Sequence, residues 1–268
     1  MFKGKVIVIT GSSQGIGKRT AELLAQRGAK IVINSRREEK VKETVQEFIN
    51  KGYDVLGVAG DVSDFSFCEK LAENTLHQFG RVDFLINNAG LAAKGKLEDT
   101  VPDVFERLMS VNILGSIYPT LAFLPHLKER KGGILFISSL AGIVGLPSYL
   151  SYSCTKRSII SIAESLKNEL YDSGVYVGVN FPGFTENDEA KQNILPSGES
   201  VVMKKRDDVK VEPLDNTVNK IIRQIERRKF RSFSSKKGKM VYIIYRLFPS
   251  IALAVIKQNR KKIMDMNC

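Results

Sequence analysis

The sequence predicts an α/β fold, a doubly wound parallel sheet in a single domain, on three observations. Val- and Ile-rich runs recur along the first 181 residues; each is followed by a stretch with apolar residues at three- and four-residue intervals; and a glycine-rich turn stands between the first run and the first such stretch. Short continuous apolar runs suit strands covered on both faces, which is what helical crossovers between parallel strands produce. Taken in order, strand 6–10 leads through the glycine turn to helix 16–27, and strand 31–34 leads to helix 38–50. Strand 54–59 precedes helix 65–79, strand 84–87 precedes one long helix over 104–127, and strand 134–138 precedes helix 151–173. Strand 175–181 closes the regular alternation. A further helix is expected over 213–231, with Pro213 at its start and Ile221, Ile222 and Ile225 on one side, and a last strand over 230–233. Neither an internal repeat nor a Pro/Ser linker divides the chain before about residue 183.

Composition narrows the function classes. The chain has 268 residues, 43% of them hydrophobic, enough for a sizeable core. Its net charge of +12 comes from 41 basic and 29 acidic side chains, but residues 1–203 hold 23 of each and residues 204–268 hold 18 against 6. The excess therefore belongs to the tail. With a neutral main body and no nucleic-acid-binding motif, no nucleic-acid partner is expected. Cys68, Cys154 and Cys268 show no paired spacing and no neighbouring His, so neither a disulfide framework nor a metal site is expected, and a reducing compartment is. The first residues run straight into strand pattern with no signal-peptide profile, and a cytoplasmic location follows as the expectation. The apolar stretch 240–256 falls short of the roughly 20 residues a spanning helix needs and contains Arg246 and Pro249.

The turn Thr10-Gly11-Ser12-Ser13-Gln14-Gly15-Ile16-Gly17 lies between strand and helix, where backbone N–H groups and the positive end of the helix dipole favour a pyrophosphate. A flexible turn would carry the same glycines. The second strand ends at Asn34-Ser35-Arg36-Arg37. An acidic residue there would take the ribose hydroxyl of NAD; two guanidiniums instead match the oxygens of a 2′-phosphate, so NADP (NADPH when reduced) is the expected cofactor, unless both arginines are merely solvated at a helix start. Ser12 and Ser13 could add hydroxyl donors to that phosphate. Asp61-Val62 and Asn87-Asn88-Ala89-Gly90 follow the third and fourth strands at carboxyl ends, where open α/β sheets bind ligands, and Asn88 and Gly90 would form the cofactor floor.

Tyr152 and Lys156 stand four apart at the start of a helix and share a face. Alone they read as an exposed helix surface. A phenol, with an ordinary pKa of about 10, becomes useful in proton transfer at neutral pH when a cation stabilises its phenolate, and Lys156 offers one. Ser139, at the end of the fifth strand and thirteen residues before Tyr152, could hold a substrate carbonyl. Asn112 interrupts the long helix with a mediocre helix former, which fits either a buried polar role or an exposed helical Asn.

Together, Thr10-Gly-x-x-x-Gly-x-Gly17, Asn87-Asn-Ala-Gly90, Asn112, Ser139 and Tyr152-x-x-x-Lys156 resemble the short-chain dehydrogenase/reductase family over about residues 3–183. The resemblance implies a Rossmann-type sheet binding NAD(P), with Tyr152 as general acid/base and Lys156 lowering its pKa while binding the nicotinamide ribose. It implies Ser139 orienting the carbonyl, Asn112 assisting a water-linked proton relay, and Ile16, Ala89, Pro182, Gly183 and Thr185 also against the cofactor. A homodimer or homotetramer through the two long helices is implied as well. Gly95-Lys-Leu-Glu-Asp99, Phe105 to Asn112 and Leu114-Gly-Ser-Ile-Tyr-Pro119 are similar to the branch that reduces 3-ketodihydrosphingosine, which implies a lipid-like ketone substrate. The departure from that branch is a shorter segment before Pro182-Gly183, with Phe184, Ile194 and Leu195 as candidate lid residues. A steroid or general carbonyl reductase, or a non-catalytic cofactor-binding scaffold, are the alternatives.

Residues 1–233 thus read as the catalytic domain, with a substrate loop about 183–212, and 234–268 as a basic amphipathic extension. Basic clusters flank the apolar stretch on both sides, so residues 236–262 suit either an anionic membrane surface, making the protein peripheral at a membrane face, or a helix packed on the domain.

Overall fold

The computed structural model describes residues 1–186, 192–202 and 211–265. Of the expected substrate loop, 187–191 and 203–210 lie outside the described residues. Four consecutive apolar residues form β1 (Val6–Ile9), and all four are fully buried. Successive strand side chains point to opposite sides, so both faces of β1 must be covered. Ile7 and Ile9 enter a core built with α1 (Gly15–Ala25), α2 (Glu38–Asn50) and α7 (Leu214–Glu226). Val6 and Val8 enter a second core on the other face, with α3 (Phe65–Phe79), α5 (Gly115–Glu129) and α6 (Leu150–Glu169).

The sheet adds β2 (Lys30–Ser35), β3 (Val55–Ala59), β4 (Phe84–Asn87), β5 (Gly133–Ile137), β6 (Tyr176–Phe181) and β9 (Arg231–Phe233) to β1. The order is β3-β2-β1-β4-β5-β6-β9, with every pairing parallel. The chain winds outward from β1 in one direction through β3, then returns to β4 and winds in the other. At that reversal the loops after β1 and β4 meet, the position at which such sheets take ligands.

Three features differ from the sequence expectation. The long helix over 104–127 is divided into α4 (Pro102–Leu108), a π turn at Met109–Leu114, and α5. Pro119 and Pro125 sit inside α5 without an N–H to give, and the wide π turn lies just before the first of them. The whole stretch Pro102–Glu129 is long and apolar enough to cross a membrane by composition, yet Phe123 and Leu127 are buried in the second core. The helix expected over 213–231 stops at Glu226, and β9 then adds to the edge of β6. An antiparallel hairpin of β7 (Gln192–Ile194) and β8 (Ser200–Val202) was not foreseen.

After β9 the apolar run 240–256 is broken at Phe248 and Pro249 into α8 (Lys236–Leu247) and α9 (Pro249–Gln258), followed by α10 (Arg260–Asp265). The inner side of α8 packs on the domain. Tyr242 approaches the rings of Phe233 and Phe181, at 5.2 and 6.2 Å between centroids, and the Arg157 guanidinium lies 5.3 Å over the ring of Tyr245.

Asp83 ties the two central strands at their amino ends. Its Oδ2 accepts from the Val6 N–H at 3.0 Å, and Lys5 Nζ at 3.0 Å and Arg81 Nε at 2.8 Å complete the cluster. Burial works against the charge, but the Arg81 guanidinium, the Val6 N–H and the Lys5 ammonium together hold the carboxyl below the usual carboxylate range. A carboxyl whose folded-state pKa lies below its unfolded value stabilises the fold fully above the unfolded value, about 4, and loses that contribution as pH falls through the folded one. Asp83→Asn is expected to lower stability by about 2 kcal/mol at pH 7 and to flatten the acid limb of the stability curve below about pH 4, read by urea unfolding across pH. An unchanged acid limb would remove Asp83 from this role.

Candidate active site

The loop after β1 is shaped by close approaches that leave no room for side chains. Gly11 has φ 61°, in the left-handed region that favours glycine, and a Cβ there would lie 2.8 Å from Ala89 Cα. A Cβ on Gly17 would lie 2.5 Å from both Asn88 Nδ2 and the Gly11 carbonyl oxygen. The loops after β1 and β4 are then laced together. Thr10 Oγ1 accepts from the N–H groups of Asn88 and Ala89, both at 3.0 Å, and Asn88 Nδ2 donates to the carbonyls of Thr10 and Gly11 at 3.0 and 2.9 Å. Gln14, which precedes α1, does not cap the helix with its side chain; its Oε1 accepts from Arg37 Nη2 at 3.0 Å instead. A glycine cradle at a helix start, with Arg36 and Arg37 beside it, is chemically suited to a phosphorylated dinucleotide.

One cavity of about 710 Å³ runs from this cradle across the carboxyl edge of the sheet. Gly11, Ser13, Gly15, Ile16, Gly17, Arg36, Arg37, Asp61, Val62, Asn88, Ala89 and Gly90 line it, as do Ser139, Tyr152, Lys156, Pro182, Gly183 and Thr185. Two predicted residues do not. Ser12 is fully buried beneath the loop, donating to the Ile9 carbonyl at 2.6 Å and accepting from the Asn34 N–H at 3.1 Å, so its hydroxyl serves the scaffold and not a phosphate. Asn112 is fully buried in the π turn. Its Nδ2 donates to the Leu91 carbonyl at 3.0 Å and to Thr155 Oγ1 at 2.9 Å, and its Oδ1 accepts from the Leu91 N–H at 2.7 Å. Both side-chain hydrogens are spent on the scaffold, so the water-linked relay implied by resemblance would have to use an oxygen of Asn112 as an acceptor. Through these bonds Asn112 ties the loop after β4 to α6.

The residues expected to be catalytic come from the end of β5 and from α6. Ser139 follows β5, and its Oγ accepts from the Ala141 N–H at 3.2 Å, which leaves its hydrogen to donate elsewhere. Lys156 is buried with its Nζ donating to the Ile137 carbonyl at 3.0 Å and lying 5.9 Å from the centre of the Tyr152 ring. Ser138, which sequence reasoning passed over, donates to the Lys156 carbonyl at 2.6 Å and so pins α6 to the strand end. Tyr152 is backed by a small apolar cluster of Ala93, Val104, Leu108 and Ile194. Ile194, a candidate lid residue, is therefore packing behind the tyrosine; β7 carries it there, with its N–H donating to the Ala92 carbonyl at 2.9 Å. Phe184, Gln192 and Asn193 do line the cavity. Its apolar wall includes Leu91, Val144, Leu146 and Val241, the last from α8, and no local sequence signal marks a residue brought in from so far along the chain.

The chain matches the model of the short chain dehydrogenase family over residues 5–196. It is 35% identical to an uncharacterized oxidoreductase of Thermotoga maritima over 76% of this chain and 81% of that one. It is 41% identical to the 3-ketodihydrosphingosine reductase of Bos taurus over 71% of this chain and 59% of the relative. A likeness of 38% to the 11-beta-hydroxysteroid dehydrogenase-like protein 4A of Arabidopsis thaliana covers 72% of this chain and 64% of that protein. The matches thus span about three fifths of the length of the bovine and plant relatives. Among solved structures, a gluconate 5-dehydrogenase from Burkholderia cenocepacia in complex with NADP and tartrate superposes with a TM-score of 0.66 at 29% identity, over 69% of this chain and 73% of that one. A short chain dehydrogenase/reductase from Burkholderia phymatum in complex with NAD, at 24% identity and TM-score 0.77 over 98% and 95% of the two chains, shares the fold.

Gly17→Ala is expected to weaken dinucleotide binding by about tenfold or more while leaving the far-ultraviolet circular dichroism unchanged, because the added methyl must displace the Gly11 carbonyl or Asn88. Titration of the variant with NADPH, followed by cofactor fluorescence, checks this; an unaltered affinity would place the binding site elsewhere.

Proposed function

Because the chain belongs to the short chain dehydrogenase family, we propose that it is an NADPH-dependent reductase of a long-chain lipid ketone, with 3-ketodihydrosphingosine as substrate. The observation that carries this reading is that one cavity brings the groups together. It holds Arg36 and Arg37 toward the β2 end, Ser139, Tyr152 and Lys156 at the end of β5, and an apolar wall that includes Leu91, Val144, Leu146 and Val241. The likeness to a protein named 3-ketodihydrosphingosine reductase supports the sphingoid ketone. The likeness to proteins named hydroxysteroid dehydrogenase-like supports a steroid ketone as the second reading.

When bound, the dinucleotide supplies a hydride to the carbonyl carbon. The chain's own residues manage the charge that then gathers on the carbonyl oxygen. Ser139 donates a hydrogen bond to that oxygen and fixes its direction, its own oxygen polarised by the Ala141 N–H. Tyr152 passes its phenolic proton to the same oxygen, and the buried Lys156 ammonium, anchored on the Ile137 carbonyl, stabilises the phenolate that remains. The apolar wall excludes water from the site and accommodates an alkyl chain. Arg36 lies 3.8 Å from Asp61 and Arg37 is held by Gln14, so both guanidiniums are oriented at the cavity edge, where a 2′-phosphate would meet them.

Loss of NADPH absorbance, measured with 3-ketodihydrosphingosine, an 11-keto steroid and short ketones, tests the substrate. Turnover of the sphingoid ketone above the others is expected, and its absence overturns the assignment. Tyr152→Phe is expected to lower kcat by about 10²- to 10⁴-fold with NADPH binding retained, and a fully active variant would refute the proton-transfer role. Arg36→Leu combined with Arg37→Leu is expected to weaken NADPH binding by about 10- to 100-fold while sparing NADH, which a pair of titrations reads directly.

A further inference from the structure

We infer that α8, α9 and α10 form an arm that docks on an anionic lipid surface, and that the cavity is placed to receive its substrate beside that arm. The delivery of substrate rests on the long-chain ketone reading; the docking does not.

α8 has two apolar faces. Gly238, Tyr242 and Tyr245, spaced four and three apart, turn inward. Gly238 sits so close to Leu140 that an added Cβ would lie 2.7 Å from its side chain. Met240, Ile243 and Leu247, spaced three and four apart, turn outward and are 55%, 43% and 64% exposed. Phe248, just before the Pro249 break, and on α9 Ile251 and Val255 on one side with Leu253 on the other are all more than half exposed, and no residue of α9 or α10 is buried. Large apolar side chains exposed along two successive helices call for a cover.

Charge identifies the cover. From Arg227 to Met264 there are twelve Lys and Arg and not one Asp or Glu. A second copy of the chain laid on this face would bring the same cations against it, whereas acidic headgroups neutralise them. Neither α8, with 12 residues, nor α9, with 10, is long enough to span a bilayer, and the break between them suits a pair of helices lying in the interface. The active site is next to this surface. Val241, adjacent to the outward Met240, lines the cavity, and Leu140, which Gly238 contacts, directly follows Ser139. An alkyl ketone leaving the bilayer at the arm thus meets the apolar wall of the cavity without crossing water.

The full-length chain is tested by flotation with vesicles of phosphatidylcholine alone and of phosphatidylcholine with phosphatidylserine. The expected result is recovery with the anionic vesicles, at least about tenfold lower recovery with neutral ones, and release by high salt. Two variants separate the two halves of the arm: Leu247→Glu/Phe248→Glu/Ile251→Glu for the apolar stripe, and Lys257→Glu/Lys261→Glu/Lys262→Glu for the charge. Each is expected to lower recovery on anionic vesicles by about tenfold or more, with NADPH affinity unchanged as the sign of an intact fold. No flotation of the wild type, or equal flotation of wild type and both variants, overturns the inference. So does light scattering that shows a dimer lost in the apolar variant without any vesicle binding, since the cover would then be a second copy. Flotation without turnover of 3-ketodihydrosphingosine leaves the docking standing and sinks the substrate; turnover in detergent without flotation does the reverse.

Discussion

Two hydrogen bonds running in opposite directions hold the reactive end of the cavity together: the Lys156 ammonium donates to the Ile137 carbonyl, and the Lys156 carbonyl accepts from Ser138. They bring the second turn of α6 against the carboxyl end of β5, and Gly142 permits the approach, since a Cβ there would lie 2.6 Å from the Lys156 carbonyl oxygen. A lysine buried this deeply must have its charge satisfied by oriented dipoles or by other charges. The same constraint fixes Tyr152, one helical turn earlier on α6, and Ser139, one residue past Ser138. The proposed catalytic geometry thus follows from how a helix docks on a strand, and Ser138 and Gly142 are the two residues that set the docking.

A second layer of positioning surrounds that contact. Asn112 reaches Leu91 from the π turn, Thr10 reaches Asn88 and Ala89, and Asn88 reaches back to Gly11. Each of these polar groups is satisfied mainly by backbone, which makes the floor of the cavity rigid without using any of the groups a ligand would need. The wide turn is what lets Asn112 leave the helix register and face the loop after β4. Its physical cost, an irregular helix, is borne where Pro119 already denies α5 a regular hydrogen bond.

β1 was legible because Val-Ile-Val-Ile has no polar alternation, the mark of a strand covered on both faces. The anomaly at Asn112 was legible as a poor helix former in a helical pattern, but its partner Leu91 is a tertiary fact, and the π turn keeps the same apolar spacing as an unbroken helix. Ser12 and Ser13 are indistinguishable by residue type; the backbone path decides that one faces the cavity and the other supports the loop. The end of α7 carried no punctuation. Arg227-Arg228-Lys229 are good helix formers, and it is Arg228, with φ 46°, that takes the left-handed conformation usually given to glycine. β7 and β8, three residues each, are too short for periodicity to register.

The strand order has a consequence for how the molecule comes into being. Thr10 must wait for a partner 78 residues further along, and Val6 for one 77 residues away, so β1 is paired on its β4 side only after β4 has emerged. Until then its apolar faces are covered on one flank at most, a state in which parallel sheets are slow to form and prone to misassembly. No nascent chain shorter than about Gly90 has a cradle to which a dinucleotide could bind, and none shorter than Val241 has the last wall of its cavity. The cofactor cradle can therefore close only once β4 has emerged, and α8 can supply the last wall of the cavity only after every strand of the sheet has been made.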